Sequence, residues 1–188
     1  MRMTIRYLAC CAIASAFVGQ PALSDQVQPP GPFVTGYANR LSYVAGDEVS
    51  LHLSSSGKLV DIAVERLGME RVKVLERKGV ACSAHSIPDR ASSHGCQWPA
   101  ALSLTIPPNW SSGYYEVTLT LEDGGKTVRN TLFFVVRSSN PTNGSRILLQ
   151  LSTNTYNAYT NWGGHSLYSY HDRDGLQGHR VSFDRPLR

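Results

Sequence analysis

The chain has 188 residues, of which 41% are hydrophobic and 17% charged, a balance typical of a globular protein and not of a disordered one. Its formal net charge of +4 is small and its basic residues form no run, which argues against a nucleic-acid-binding surface or a membrane-binding patch. The length suits one ordinary domain with a remainder.

Residues 1–24 have the features of a secretory signal peptide. Two arginines precede a short apolar run, Tyr7–Val18, and residues 22–24 offer the small-x-small pattern of a cleavage site. The run is too short to span a bilayer, which takes ~20 apolar residues. We therefore predict cleavage between Ser24 and Asp25 and a secreted or periplasmic protein with no membrane attachment after cleavage. A retained N-terminal anchor is the alternative.

A proline-rich linker over residues 25–32 is expected to be extended. Beyond it, apolar residues recur at every second position, which is the period of a half-buried strand. The clearest such stretches are Val49–Leu53, Val60–Val64, Val72–Val74, Leu102–Ile106 and Tyr115–Leu121.

Two cysteines, Cys82 and Cys96, remain after cleavage of the signal peptide. Export to an oxidising compartment favours a disulfide between them. By the chain-entropy estimate, this bond would contribute about 3 kcal/mol. Cys82-x-x-His85 and His94-x-Cys96 also form a set of zinc-ligand types, so a zinc site is a second interpretation and free thiols are a third.

Trp110 stands just before Gly113 and a pair of tyrosines, at the entry to the strand that contains Tyr115. Its ring could line a sugar-binding face. The favoured interpretation is a core anchor, because large aromatic rings usually fill the interior of a sandwich.

Asp123-Gly124-Gly125 separates two strongly alternating runs and predicts a tight hairpin into Val128–Val136. The continuous apolar run at Leu132–Val136 predicts a central strand. Roughly seven short strands over residues 33–138, with no helical periodicity between them, predict a mainly β fold: an Ig-like or fibronectin-like β-sandwich.

Residues 139–145 consist almost wholly of turn formers and predict a linker. The apolar run Arg146–Leu151 then resembles a strand covered on both faces, as in parallel sheets. The Tyr-, Asn- and Gly-rich stretch after it corresponds to the loop beyond the carboxyl end of a strand, where α/β folds place their catalytic and binding residues. Residues 146–188 thus predict the first strand and loop of an incomplete α/β domain. A unit of ~40 residues seldom buries enough apolar surface to fold alone.

The stretch Thr155–Tyr168, followed by Val181–Pro186, resembles the start of the C-terminal domain of the N,N-dimethylformamidase large (beta) subunit family. The preceding sandwich resembles the domain that comes before it in related proteins, through Gly36–Ser42 and Trp110–Tyr115. The resemblance therefore covers most of the mature chain.

This resemblance implies an iron-dependent hydrolase of amide C–N bonds in a multi-subunit assembly, with iron bound by a Tyr, a His and a Glu. The hard oxygen ligands of this set suit ferric iron, a Lewis acid that polarises a carbonyl. Tyr159 best matches the ligand position, ahead of Tyr168 and Tyr156.

The family's His and Glu come from a His-x-Glu motif, which this chain lacks. His165, His171 and His179 match no ligand position in the family, and His171–Asp174 is interpreted as a solvated loop. No nucleophile motif of the Gly-x-Ser-x-Gly type offers a substitute.

We therefore expect a fragment of a secreted dimethylformamidase-like protein that holds no cofactor and is inactive by itself, with its catalytic residues unknown. One alternative is a secreted Ig-like binding module for a glycan or protein. Another is a subunit that a separate chain completes.

Overall fold

The computed structural model describes residues 31–140, 148–171 and 175–187. The predicted signal peptide and its cleavage site at Ser24 and Asp25 lie outside the described residues, as does most of each predicted linker. Within the described ranges the chain forms eight strands and three short helical elements. They are β1 (Val34–Ala38), β2 (Ser42–Tyr43), β3 (Glu48–Ser55), β4 (Leu59–Leu67), β5 (Arg71–Ala81), α1 (Ala91–His94), β6 (Ala100–Thr105), β7 (Gly113–Asp123), β8 (Lys126–Val136), α2 (Thr153–Tyr159) and a 3₁₀ turn (Ser169–His171).

The strands form two sheets that enclose one core. One sheet has three strands in the order β1-β3-β6, and the other has five in the order β2-β8-β7-β4-β5. All of the strand pairs are antiparallel except β2 with β8. The mainly β fold and the two-sheet sandwich are thus confirmed.

The predicted alternation decides which side chains enter the core. Along β7, Tyr115, Val117, Leu119 and Leu121 are buried, while the residues between them are half-buried on the other face. Burial of a large apolar side chain of this kind contributes roughly 1.5–3 kcal/mol. The period-two pattern therefore fixes the register of the five-stranded sheet against the core.

The predicted hairpin is confirmed at Gly124 and Gly125. Asp123 pairs with Lys126 across a two-residue loop. Both glycines have positive φ, at 57° and 77°, as the favoured tight hairpin turn requires. The strand that follows, β8, lies between β2 and β7, so the predicted central strand is confirmed as well.

Aromatic rings occupy the middle of the core. Phe134 stacks on Tyr115 with ring centroids 5.5 Å apart and meets Tyr43 edge-on at 5.5 Å. Trp110 also stacks on Tyr115, with ring centroids 5.0 Å apart. Its side chain is half-buried and packs against the core. Trp110 therefore serves as the core anchor that the sequence favoured.

The predicted strand after the second linker is not formed in its described part. Leu148–Leu151 lies outside any strand, and the side chains of Leu148 and Leu149 are 90% and 77% exposed. A strand of a parallel sheet needs neighbours for its backbone groups, and no described strand lies beside this one. The next residues form the short helix α2 where the sequence predicted a loop.

The C-terminal segment, described over residues 148–171 and 175–187, packs on the sandwich around α1. Trp162 packs against a second core made of Tyr37, Ala91, Cys96 and Trp98. Three backbone hydrogen bonds add to this contact, from Ser92 to Gly163 (3.0 Å), from Ser182 to Ser92 (2.8 Å) and from Cys96 to Asp184 (2.8 Å). The sandwich thus supplies the apolar partner that the segment lacks.

Among the described residues, none of the helices has the length and apolar character needed to cross a bilayer.

Candidate functional site

Three tyrosines meet at the surface of the C-terminal segment, and we call them the tyrosine cluster: Tyr159, Tyr168 and Tyr170. The ring of Tyr159 lies 4.4 Å from that of Tyr168 and 6.5 Å from that of Tyr170, and the last two are 5.5 Å apart. All three side chains are exposed. The structure therefore brings together the predicted ligand Tyr159 and its alternative Tyr168. Tyr170 was missed, because no motif pointed to it.

Local hydrogen bonds position the cluster. Tyr159 is the last residue of α2, and the amide of Leu167 donates to the carbonyl of Ala158 at 2.9 Å. The buried hydroxyl of Ser166 donates to the carbonyl of Tyr168 at 2.8 Å and accepts from the amide of Tyr168 at 3.1 Å. These bonds fix the chain between the first two tyrosines, so the rings meet on one side of the segment.

The guanidinium of Arg185 holds the turn beneath the cluster and is fully buried. It donates to the carbonyls of Asn157, Thr160 and Trp162, which follow one another around the end of α2. A cation at the C-terminal end of a helix also interacts favourably with the helix dipole. Burial lowers the pKa of Arg185 to about 10, which still leaves the side chain charged at neutral pH.

Two glycines after Trp162 allow the segment to approach α1 closely. A Cβ on Gly163 would lie 2.8 Å from the Cβ of Ala91, and one on Gly164 would lie 2.8 Å from the hydroxyl of Ser92. Both glycines also have positive φ. The Trp-Gly-Gly part of the motif thus has a packing reason of its own, apart from any chemistry.

The described residues do not fit a complete iron site. The hydrogen bond with Tyr170 raises the pKa of Tyr159, so iron binding there would have to release the phenol proton. Among the described residues, no three His, Cys, Asp or Glu side chains are grouped closely enough to hold a metal ion. His165 is half-buried and His179 is exposed, while the side chains of His171–Asp174 lie outside the described residues.

The predicted disulfide between Cys82 and Cys96 is not formed, since both residues are free thiols. The physical reason is their different packing: Cys82 lies against the main core, while Cys96 belongs to the second core under Trp162. The prediction is corrected accordingly. The zinc interpretation finds no support either, because Cys82, His85, His94 and Cys96 are not grouped as a metal site in the described structure.

The two thiols are expected to differ in reactivity. Burial raises the pKa of Cys96 to about 12, while Cys82 is half-buried with a pKa raised by burial. Only the thiolate reacts readily, so a maleimide at pH 8 should label Cys82 well before Cys96. Peptide mapping by mass spectrometry of the folded protein would measure this order. Equal labelling, or a disulfide-linked peptide in the unreduced protein, would contradict it.

Comparisons with known proteins bear on the same residues. A family model described as "N,N-dimethylformamidase beta subunit-like, C-terminal" matches residues 61–188, from within β4 through the tyrosine cluster. No curated protein matches. A solved structure titled "Structural basis of T cell specificity and activation by the bacterial superantigen toxic shock syndrome toxin-1" is similar over 57% of this chain and 99% of that one, at 13% identity and a TM-score of 0.33. A likeness this slight supports no statement about the fold or the function.

Proposed function

Because the chain belongs to the N,N-dimethylformamidase beta subunit-like family, we propose that it is part of a secreted hydrolase of amide C–N bonds. In this proposal the chain contributes the sandwich and the tyrosine cluster, and not a whole catalytic centre. The observation that carries the proposal is the cluster itself. Tyr159, which best matches the motif position of the family's tyrosine ligand, is exposed beside two further phenols.

Tyr159 is our candidate for the tyrosine ligand of iron, with Tyr168 as the alternative. The imidazole and carboxylate that such a centre needs must then come from outside the described residues. We assign no catalytic step to this chain, and we propose that it is inactive alone and works with other subunits.

Exposed apolar side chains support a partner on this part of the molecule. Among the described residues, most of the large hydrophobic side chains that remain exposed lie between residues 148 and 183. They are Leu148, Leu149, Tyr156, Tyr159, Tyr168, Tyr170, Leu176 and Phe183. Such a concentration of exposed apolar groups is typical of an interaction surface.

The proposal is tested on the protein that the cells export. A tagged chain is purified from the medium or periplasm of its native cells together with what it holds, and iron content and dimethylamine release from dimethylformamide and related amides are measured. We expect iron, amide hydrolysis and a visible phenolate-to-iron absorption band. Replacing Tyr159 with Phe should abolish the band and the activity, whereas Tyr156→Phe, also exposed on α2, should change neither.

The same measurements on the isolated chain with added ferric iron should give neither the band nor hydrolysis. An exported assembly that contains no iron and cleaves no amide would overturn the enzyme proposal and leave the binding module as the better account. Hydrolysis by the isolated chain would instead overturn the proposal that other subunits are needed.

A further inference from the structure

A cavity opens where the five-stranded sheet extends past the narrower sheet that covers it. Val72 on β5, Arg66 on β4 and Tyr115 on β7 lie side by side across three strands. Tyr115 is fully buried, yet Val72 is 47% exposed at the edge. The loop of residues 107–112 partly closes this uncovered end and leaves a cavity of about 340 Å³.

The wall opposite β5 is held in place by hydrogen bonds. The hydroxyl of Tyr115 donates to the carbonyl of Ser111 at 2.6 Å, and Arg66 donates to the carbonyl of Ser112 through Nε at 3.2 Å and Nη2 at 3.1 Å. Trp110 lies nearly parallel to Tyr115, with 10° between the ring planes. The cavity is therefore formed before any ligand arrives, which lowers the cost of binding.

Residues that line this cavity carry hydrogen-bond donors without a described partner. Arg66 uses Nε and Nη2 on Ser112, and within the described residues its Nη1 makes no hydrogen bond. The indole nitrogen of Trp110 and the side-chain amide of Asn109 are likewise unused in the described structure, and both residues line the cavity. The lining is thus rich in donors.

No carboxylate lines the cavity to balance the charge of Arg66. The nearest acidic residues along these strands, Glu65 and Glu116, belong to the other face of the sheet. There they pair with Arg71 at 3.1 and 2.7 Å. A positive group among further donors suits an anion. The side chains of Val72 and Val74 and the ring of Trp110 offer apolar contacts beside it.

We propose that this cavity binds a small organic carboxylate. The carboxylate meets Nη1 of Arg66, and the apolar body of the ligand packs against Trp110 and Val72. Ligand pockets run from ~300 to 1,000 Å³, so the cavity admits a molecule near the size of an amino acid or one sugar acid. This activity is separate from amide hydrolysis and from the tyrosine cluster.

Benzoate is the first probe, with benzamide as its neutral match. Titrated into the isotope-labelled full chain, benzoate should shift the NMR amide signals of Arg66, Trp110 and Gly113 in a saturable way. Benzamide should bind at least tenfold more weakly. Arg66→Gln should weaken benzoate binding at least tenfold, while Arg71→Gln, on the outer face of the same sheet, should bind as the wild type does.

Val72→Trp tests the cavity independently of Arg66, because an indole at this exposed position would fill the space without removing a hydrogen bond. Its melting temperature should stay close to that of the wild type while benzoate binding disappears. Equal binding of benzoate and benzamide, saturable shifts confined to other residues, or unchanged binding by Val72→Trp would each overturn the proposal.

Discussion

Replacing Arg185 with Met is expected to release the C-terminal segment from the sandwich while the sandwich stays folded. The buried guanidinium donates to Ser182 at 3.0 Å, to the carbonyl and side chain of Asn157 at 3.1 and 3.2 Å, and to Thr160 at 3.2 Å. A buried polar group left unsatisfied costs about 1–3 kcal/mol. Several carbonyls lose their donor at once, and a hydrogen bond to a charged group contributes about 1.5–3 kcal/mol, so we expect a local loss of at least about 3 kcal/mol.

Amide hydrogen exchange measures this loss segment by segment. The amides of Leu167, Gly178 and Ser182 are hydrogen-bonded in the docked segment and should lose protection in Arg185→Met. Amides of β7 and β8 should keep theirs. In Arg185→Lys, the protection of these amides should be intermediate between the wild type and Arg185→Met, since lysine keeps the charge but lacks the planar guanidinium.

Arg180→Met is the matched control, because Arg180 is exposed and makes no hydrogen bond within the described residues. Unchanged protection at Leu167 and Gly178 in Arg185→Met would show that the guanidinium does not hold the segment.

The sandwich was predictable because its core is made by apolar alternation. The buried set Tyr115, Val117, Leu119 and Leu121 follows the period of two that the sequence displays, and the turn at Gly124 and Gly125 follows from the conformations that only glycine adopts freely. Each of these signals depends on residues that are close together in the sequence, so a single amino-acid sequence is enough to predict the strand or turn.

The C-terminal segment was not predictable in this way because polar groups and glycines hold it. Its largest fully buried side chain among the described residues is Arg185, and its contacts with α1 depend on Gly163 and Gly164 having no Cβ. A hydrophobic pattern cannot reveal these contacts. The same limit applies to Cys82 and Cys96: their spacing suited a disulfide, but spacing does not state that they enter different cores.

Phe134→Ala is expected to lower the free energy of unfolding of the sandwich by about 3–5 kcal/mol, the usual cost of truncating a buried Phe. Phe134 is fully buried and contacts Tyr43 edge-on and Tyr115 face-on. Aromatic pairs contribute ~0.5–1.5 kcal/mol beyond burial. The substitution would also remove the ring that stacks on one face of Tyr115, while Trp110 remains stacked on that tyrosine.

Phe133→Ala is the control for this change. Phe133 is the preceding residue of β8, is only half-buried, and stacks on Tyr114 at 5.0 Å on the other face of the sheet. Phe133→Ala removes the same atoms as Phe134→Ala but opens no cavity in the core. Its loss in unfolding free energy should therefore be clearly smaller. Urea unfolding followed by circular dichroism would give both values, and equal costs would contradict the assignment of Phe134 to the centre of the core.

Phe134→Ala and Arg185→Met should also differ in which parts of the chain lose amide protection. The C-terminal segment docks on Ser92 and Cys96, so it cannot stay folded when the sandwich unfolds, whereas the sandwich has its own core. In Phe134→Ala, protection should therefore fall in β7, β8 and the segment together. In Arg185→Met it should fall in the segment alone. A Phe134→Ala protein whose segment stays protected after β7 and β8 have opened would mean that the segment folds without the sandwich.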